Sequence, residues 1–300
     1  MTDIEQHTQG VAEWVETRDG RRLFAMVLAG PRSDVATPTV VFEAGSAAGR
    51  WSWAAVQPEV GRFARAIVYD RSGLGRSAPD LADRTLSHMA DDLNEVLDHF
   101  GPGPFILVGH SAGGPIVRLA AARRLDRIAG LVLVDPTDEA ADVLFSRGFR
   151  RMEQVAIAVG AVLARLGLLK FLFRGQLRDV PADVRRDMER EAFNPSVIRT
   201  QRQQARTFLD ELATWRDTPP ELGSVLVTLI SGALPGDGMN ASMRAAAIAS
   251  HAHRAAQSPH GRHVMAEHSS HYVPATDPEL IAREIAGMIP SAESSPEESG

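Results

Sequence analysis

An α/β fold with a mostly parallel sheet, interrupted by a helical insertion, is what this sequence predicts, and three observations carry the prediction. From residue 39 onward, short runs of consecutive apolar residues alternate with stretches of helical periodicity, as expected of strands buried on both faces. Between residues 138 and 220 no strand pattern occurs, while helical patterns do. After residue 225 strand and helix alternate again. A length of 300 residues with 44% hydrophobic content suits one α/β domain carrying an insertion better than two equal domains.

The elements follow in order. Residues 11–17 and 21–28 are strand-like and are joined through Asp19-Gly20, a dipeptide suited to the positive φ angles of a tight hairpin, so the chain opens with antiparallel strands. Thr39-Val40-Val41-Phe42 reads as a buried strand, 53–63 as a helix and Ala66-Ile67-Val68-Tyr69 as the next strand. A helix over 85–100 leads to the strand Phe105-Ile106-Leu107-Val108; a helix over 115–123 and the strand Gly130-Leu131-Val132-Leu133-Val134 follow. Within the insertion an apolar helix is predicted over 155–173 and a charged one over 196–216. The strand over 225–230, a helix over 243–256, a short strand over 263–266 and a helix over 278–288 complete an eight-stranded sheet. The expected organisation is a core of residues 1–137 and 221–290, a helical cap of 138–220, and a Ser-, Glu- and Pro-rich tail, 291–300, too poor in apolar residues to be ordered.

Composition narrows the function classes. A formal net charge of −6 provides no basic surface for nucleic acid or anionic lipid. The absence of cysteine excludes disulfides, thiolate metal sites and cysteine nucleophiles together. The first ten residues lack the basic start and apolar run of a secretory signal, and a cytoplasmic location is expected. The stretch 155–173 is interrupted by Arg165 and Lys170, which leaves an uncharged run too short for a bilayer, so no integral membrane segment is expected. No internal repeat occurs.

The most informative motif is Gly109-His110-Ser111-Ala112-Gly113, placed between an apolar strand and a helix-forming run. Strand, Gly, Ser, Gly, helix is the arrangement that pushes a hydroxyl out of a strained turn at the top of a sheet, which makes Ser111 a candidate nucleophile. Two further segments stand in order around it: the loop Asp70-Arg71-Ser72-Gly73-Leu74-Gly75-Arg76-Ser77 before it, and Ser270-His271-Tyr272 near the end of the chain. With these three features, over roughly residues 11–289, the chain resembles the α/β-hydrolase superfamily, in which a helical cap interrupts the sheet and the catalytic groups follow the order Ser, acid, His.

That resemblance implies His271 as general base, ahead of His268; it is followed by Tyr272-Val273-Pro274 and a helix, matching the family's post-strand loop. It implies Asp237 as the acid, in the turn-rich segment Ser231-Gly232-Ala233-Leu234-Pro235-Gly236-Asp237, with Asp135 at the end of the preceding strand as the alternative. The oxyanion hole is expected from the backbone N–H groups of Ala112 and Ser46. Ala44 stands where many members carry histidine.

Other residues receive plainer expectations. His110 is expected to pack rather than react, as are the surface-leaning His88, His99, His251, His253 and His260, and Glu43 to pair with Arg50 or Arg71. Trp51 and Trp53, together with the apolar cap helix, either line a hydrophobic substrate pocket or pack the cap on the core. Gly73-Leu74-Gly75-Arg76-Ser77-Ala78 matches a dinucleotide fingerprint in letters, but Pro79-Asp80 follow it where a helix should open. No cofactor is expected, nor a metal, because His251-Ala252-His253 lacks carboxylates at ligand spacing.

The implied activity is that of a serine hydrolase acting on a small to medium, largely apolar ester, thioester or lactone. An amidase, a prolyl aminopeptidase, a carbon-carbon bond hydrolase and a perhydrolase remain alternatives on the same residues, and a non-enzymatic ligand receptor is the alternative of another class. Ser111 excludes the aspartyl-ester chemistry of the family's epoxide hydrolases and dehalogenases, which need a carboxylate at the elbow.

Overall fold

The computed structural model describes residues 7–31, 37–173 and 180–290. Eight strands form one sheet in the order β1-β2-β4-β3-β5-β6-β7-β8. They are β1 (Val11–Glu16), β2 (Arg22–Leu28), β3 (Thr39–Glu43), β4 (Ala66–Tyr69), β5 (Phe105–His110), β6 (Ile128–Val134), β7 (Leu226–Gly232) and β8 (Gly261–Ala266). β1 and β2 form the antiparallel hairpin, β2 pairs antiparallel with β4, and every pairing from β4 to β8 is parallel. The parallel strands all end at one edge, which gathers their carboxyl-terminal loops there.

The apolar runs are continuous because both faces are covered. Val41, Ile67, Leu107 and Leu131 fall in one core cluster, beneath α2 (Leu86–Phe100) and α3 (Gly113–Ala122). Their neighbours Val40, Phe42, Val68, Ile106 and Val132 fall in the other, with residues of α1 (Val56–Val60). Thr85 caps α2 by accepting a hydrogen bond from the His88 backbone N–H. The helix predicted over 53–63 is a 3-10 turn at Arg50–Trp53 followed by α1.

Between β6 and β7 the described residues contain helices and no strand: α4 (Arg147–Arg165), α5 (Leu169–Leu172), α6 (Ala182–Glu191), α7 (Pro195–Gln204) and α8 (Phe208–Thr214). The apolar helix predicted over 155–173 starts earlier and is broken at Gly167, whose φ of +68° ends α4. The charged helix predicted over 196–216 is likewise two helices, α7 and α8. On α4, Ile157 and Ala164 are buried, whereas Met152, Val155, Val159, Val162 and Leu166 form an exposed apolar stripe on the other side. Among the described residues no helix is long and apolar enough to cross a membrane.

Ion pairs fasten the insertion to the sheet. The fully buried Arg50 guanidinium reaches Asp70 at 2.5 Å and, on α6, Glu191 at 2.6 Å and Asp187 at 2.7 Å. At the start of the insertion Arg118 binds Glu139 at 2.6 Å, and Arg254 binds Asp138 at 3.1 Å. Arg50 thus joins carboxylates from separate parts of the chain, and Arg118 and Arg254 share the adjacent Asp138 and Glu139, which makes removal of one partner costly. After β7 the chain continues through α9 (Ala241–Gln257), β8, α10 (Val273–Thr276) and α11 (Pro278–Ala286); the helices predicted over 243–256 and 278–288 correspond to α9 and α11. The tail expectation for 291–300, and most of the segment read for a secretory signal, lie outside the described residues.

Candidate active site

The elbow follows from close backbone approach. β5 ends at His110, α3 begins at Gly113, and Ser111 between them takes φ = +54°, a conformation L-residues adopt only under constraint. A Cβ on Gly109 would lie 2.6 Å from the Gly113 carbonyl oxygen, and one on Gly113 would lie 2.5 Å from that of Glu43. Both positions therefore demand glycine. The turn is held from both sides: Ser111 N–H donates to the Val134 carbonyl at 3.1 Å, and Thr137 N–H donates to the Ser111 carbonyl at 3.0 Å.

The loop after β3 comes down beside the elbow, where a Cβ on Gly45 would stand 3.3 Å from Ser111 Cβ. Arg71 holds it there, donating to the Ala44 carbonyl at 2.5 Å and the Gly45 carbonyl at 2.6 Å. Its guanidinium also pairs with Glu43, which accepts from the Tyr69 hydroxyl as well. Of the two partners expected for Glu43, then, Arg71 takes the position and Arg50 is engaged elsewhere. Burial pushes the Glu43 carboxyl up, with the Arg71 charge opposing. Ser46 and Ala112 both line the cavity in front of Ser111.

The structure brings His271 to Ser111, with Nε2 3.0 Å from Oγ. The other ring nitrogen, Nδ1, lies 2.6 Å from Asp135 Oδ2. Asp237 is not brought to the histidine: it is exposed and accepts a hydrogen bond from the Ser270 hydroxyl. The choice of Asp237 is therefore corrected to Asp135 as the histidine's carboxylate partner. The physical reason lies at the end of β7, where a Cβ on Gly232 would sit 1.9 Å from the Ser270 carbonyl oxygen. The histidine loop lies directly on that strand end, so the imidazole overhangs the next strand, β6, and meets the residue at its tip.

Asp135 is 3% exposed and has φ = +41°. Its Oδ1 accepts from Arg244 at 2.6 Å and from the Gly232 backbone N–H at 3.1 Å. Burial alone would raise its pKa; the His271 hydrogen bond, the charges of His251 and His271 and the Arg244 hydrogen bond outweigh it and hold the carboxyl well below the usual carboxylate range.

His110 does more than pack. Its Nε2–H donates to the His271 backbone carbonyl at 2.9 Å, with the two rings 4.8 Å apart. Burial, with the His271 charge adding to it, pushes its pKa down to about 3, so it stays neutral and braces the loop. His251 is not surface-leaning but buried, with Nε2 2.8 Å from the Pro136 carbonyl oxygen and Nδ1 2.7 Å from Ser231 Oγ. It steadies the backbone next to Asp135. Of these supports, Arg71 lies in the Asp70–Ser77 motif, whereas Arg244, His110 and His251 carry no sequence signal beyond being polar residues in apolar or helical surroundings.

Trp51 and Trp53 resolve to the packing alternative. Trp51 is 6% exposed among Val184, Met188 and Ala192 of the insertion, and Trp53 is fully buried against Phe42. Neither lines the cavity, which measures about 160 Å³ and is bounded by Ser46, Arg71, Thr137 and Ser111 on the core side and by Phe149, Glu153, Gln204 and Phe208 on the insertion side. Its wall is mixed rather than apolar.

Among the described residues one group, Asp80, His88 and Asp92, has the spacing to hold a metal ion. Arg21 lies 3.0 Å from Asp80 and 2.7 Å from Asp92, and Arg84 lies 3.4 and 3.7 Å from the same two, so both carboxylates are engaged by guanidinium groups.

Comparison with known proteins agrees with this architecture. A family model described as the alpha/beta hydrolase fold matches residues 38–216, more than half of the chain. A Caulobacter sp. (strain K31) protein with the provisional name carbamate hydrolase RutD is 38% identical over 121 residues, 40% of this chain and 43% of that protein. Lipase LipV of Mycobacterium tuberculosis is 45% identical over 67 residues, 22% of this chain and 25% of its own. The matched region thus spans less than half the length of these curated relatives. Among solved structures, a Pseudomonas aeruginosa protein provisionally titled an epoxide hydrolase superposes with a TM-score of 0.71 at 16% identity, covering 92% of this chain and 94% of that one. A likeness at that identity speaks for the fold alone. On the family match, the chain belongs to the alpha/beta hydrolase family.

Proposed function

We propose that this protein is a serine hydrolase that cleaves a compact ester, thioester or lactone through an acyl-Ser111 intermediate. The observation that carries the reading is the continuous chain of contacts Asp135 Oδ2–His271 Nδ1 at 2.6 Å and His271 Nε2–Ser111 Oγ at 3.0 Å. In the proposed cycle His271 accepts the Ser111 proton as Oγ attacks the carbonyl, then donates it to the leaving group. Asp135 fixes the tautomer with the proton on Nδ1 and stabilises the imidazolium that forms. The charge developing on the carbonyl oxygen is taken by the backbone N–H groups of Ala112 and Ser46, and Arg71 supports the latter through the loop it holds. Water then repeats the attack on the acyl-enzyme with His271 again as base.

A serine at the elbow separates this reading from epoxide opening through an aspartyl ester. The mixed wall and the size of the cavity favour a smaller and less apolar substrate than the small to medium, largely apolar one expected from the resemblance and the apolar cap helix. A fluorophosphonate probe tests the proposal. Stoichiometric labelling of Ser111, absent in Ser111→Ala, is the expected result, and an unlabelled wild-type protein would overturn it.

A further inference from the structure

Among the described residues, one carboxylate of the cavity has no part in the triad and no hydrogen-bond or ion-pair partner. Glu153 follows Phe149 by one turn of α4 and precedes the buried Ile157 by another, so it occupies a position in the inward stripe where a packed helix normally carries an apolar residue. It lines the cavity together with Ser111 and makes no hydrogen bond or ion pair among the described residues.

The neighbouring cations are committed elsewhere. Arg150 binds Asp210 at 2.7 Å, and Arg71 is spent on Glu43 and two carbonyl groups. Burial pushes the Glu153 carboxyl up, with the charge of Arg150 opposing but no cation in direct contact among the described residues. The Nε2 donor of Gln204, 5% exposed on the same cavity, has no acceptor among the described residues. A polar group buried without a partner destabilises the fold, and a ligand that supplies the partner removes the penalty.

We propose that Glu153 selects the substrate, pairing with a protonated amine on the acyl portion of a compact ester, while the carbonyl of that ester lies at Ser111. The inference rests on the acyl-Ser111 reading and names the substrate class within it. A cation is the better match than a neutral donor because it supplies both the hydrogen bond and a charge in direct contact. A cavity of about 160 Å³ is close to the size that encloses a benzene molecule, so the acyl group is short. The apolar wall formed by Phe149 and Phe208 accommodates the methylene groups between carbonyl and amine.

Two isosteric pairs of p-nitrophenyl esters test it: 3-aminopropanoate against butanoate, and 6-aminohexanoate against heptanoate. Wild-type protein should favour the amino ester of at least one pair by about tenfold or more in kcat/KM, and that ratio should fall at least about tenfold in Glu153→Gln. A ratio unchanged by the substitution, or a wild-type preference for both neutral esters, would overturn the proposal. Binding of the four corresponding primary amides to Ser111→Ala, measured by calorimetry, separates recognition from chemistry. Tighter binding of an amino amide, lost when Glu153→Gln is added, upholds the role of Glu153 even where no ester is turned over, a result that would fault the acyl-serine reading instead. Equal binding of amino and neutral amides would overturn the role itself.

Discussion

Two loops at the carboxyl edge of the sheet each present an aspartate in a left-handed conformation, Asp135 after β6 with φ = +41° and Asp237 after β7 with φ = +51°. Their surroundings differ in every other respect. Asp135 is buried and receives hydrogen bonds from an imidazole, a guanidinium and a backbone N–H; Asp237 is exposed beside a serine hydroxyl. The contrast teaches that the acid of such a site is set less by which strand it follows than by where the histidine loop lies. Here that loop covers the end of β7 at Gly232 and delivers His271 to the tip of β6.

The largest effects should come from the two groups that the Asp135 side of the comparison supports. Ser111→Ala and His271→Ala should each lower kcat by about four to six orders of magnitude, and the double variant should lose little more, because the two act as one unit. Additive losses would break the pairing. Next in size, Asp135→Asn should lower kcat by roughly 10³- to 10⁴-fold through the wrong imidazole tautomer. Asp237→Asn should change it by no more than about threefold, as an exposed substitution. Steady-state kinetics on the two variants side by side sharpens the contrast, and a larger loss in the second would reverse it.

Stability should follow the same division. The pKa of Asp135 is depressed in the folded state, so the stability it contributes is present above the unfolded carboxylate value of about 3.9 and is lost as pH falls through the lower folded value. Thermal melts of wild type and Asp135→Asn should differ most near neutrality and converge on acidification below about pH 4. A gap that persists into acid would contradict the assigned direction. Trp53→Ala, which opens a void between the sheet and the elbow, should cost about 3–5 kcal/mol in denaturant unfolding; a small cost with a large change in KM would return Trp53 to the substrate pocket.

Much of this architecture is visible in the primary structure because it rests on local signals. Buried parallel strands announce themselves as apolar runs, and Gly109 of the elbow is required by a backbone contact with Gly113 close by in sequence, whereas Gly113 answers to the distant carbonyl of Glu43. Asp135 is harder to choose, since Asp135 and Asp237 carry the same local signature and only the placement of the His271 loop, 136 residues beyond Asp135, distinguishes them. Trp51 and Trp53 look alike whether they line a pocket or fill a core, since both uses require a large apolar surface. Arg71, Arg244, His110 and His251 act through contacts that exist only after folding, and Glu153 declares itself only as a carboxylate on the wrong face of a helix.

The most direct measurement of the central claim is rapid-quench mass spectrometry of the protein mixed with p-nitrophenyl acetate. An acetyl adduct confined to Ser111, formed in a burst and longer-lived in Asp135→Asn, is the result this account predicts. An adduct on another residue, or full turnover retained in Ser111→Ala, would contradict it.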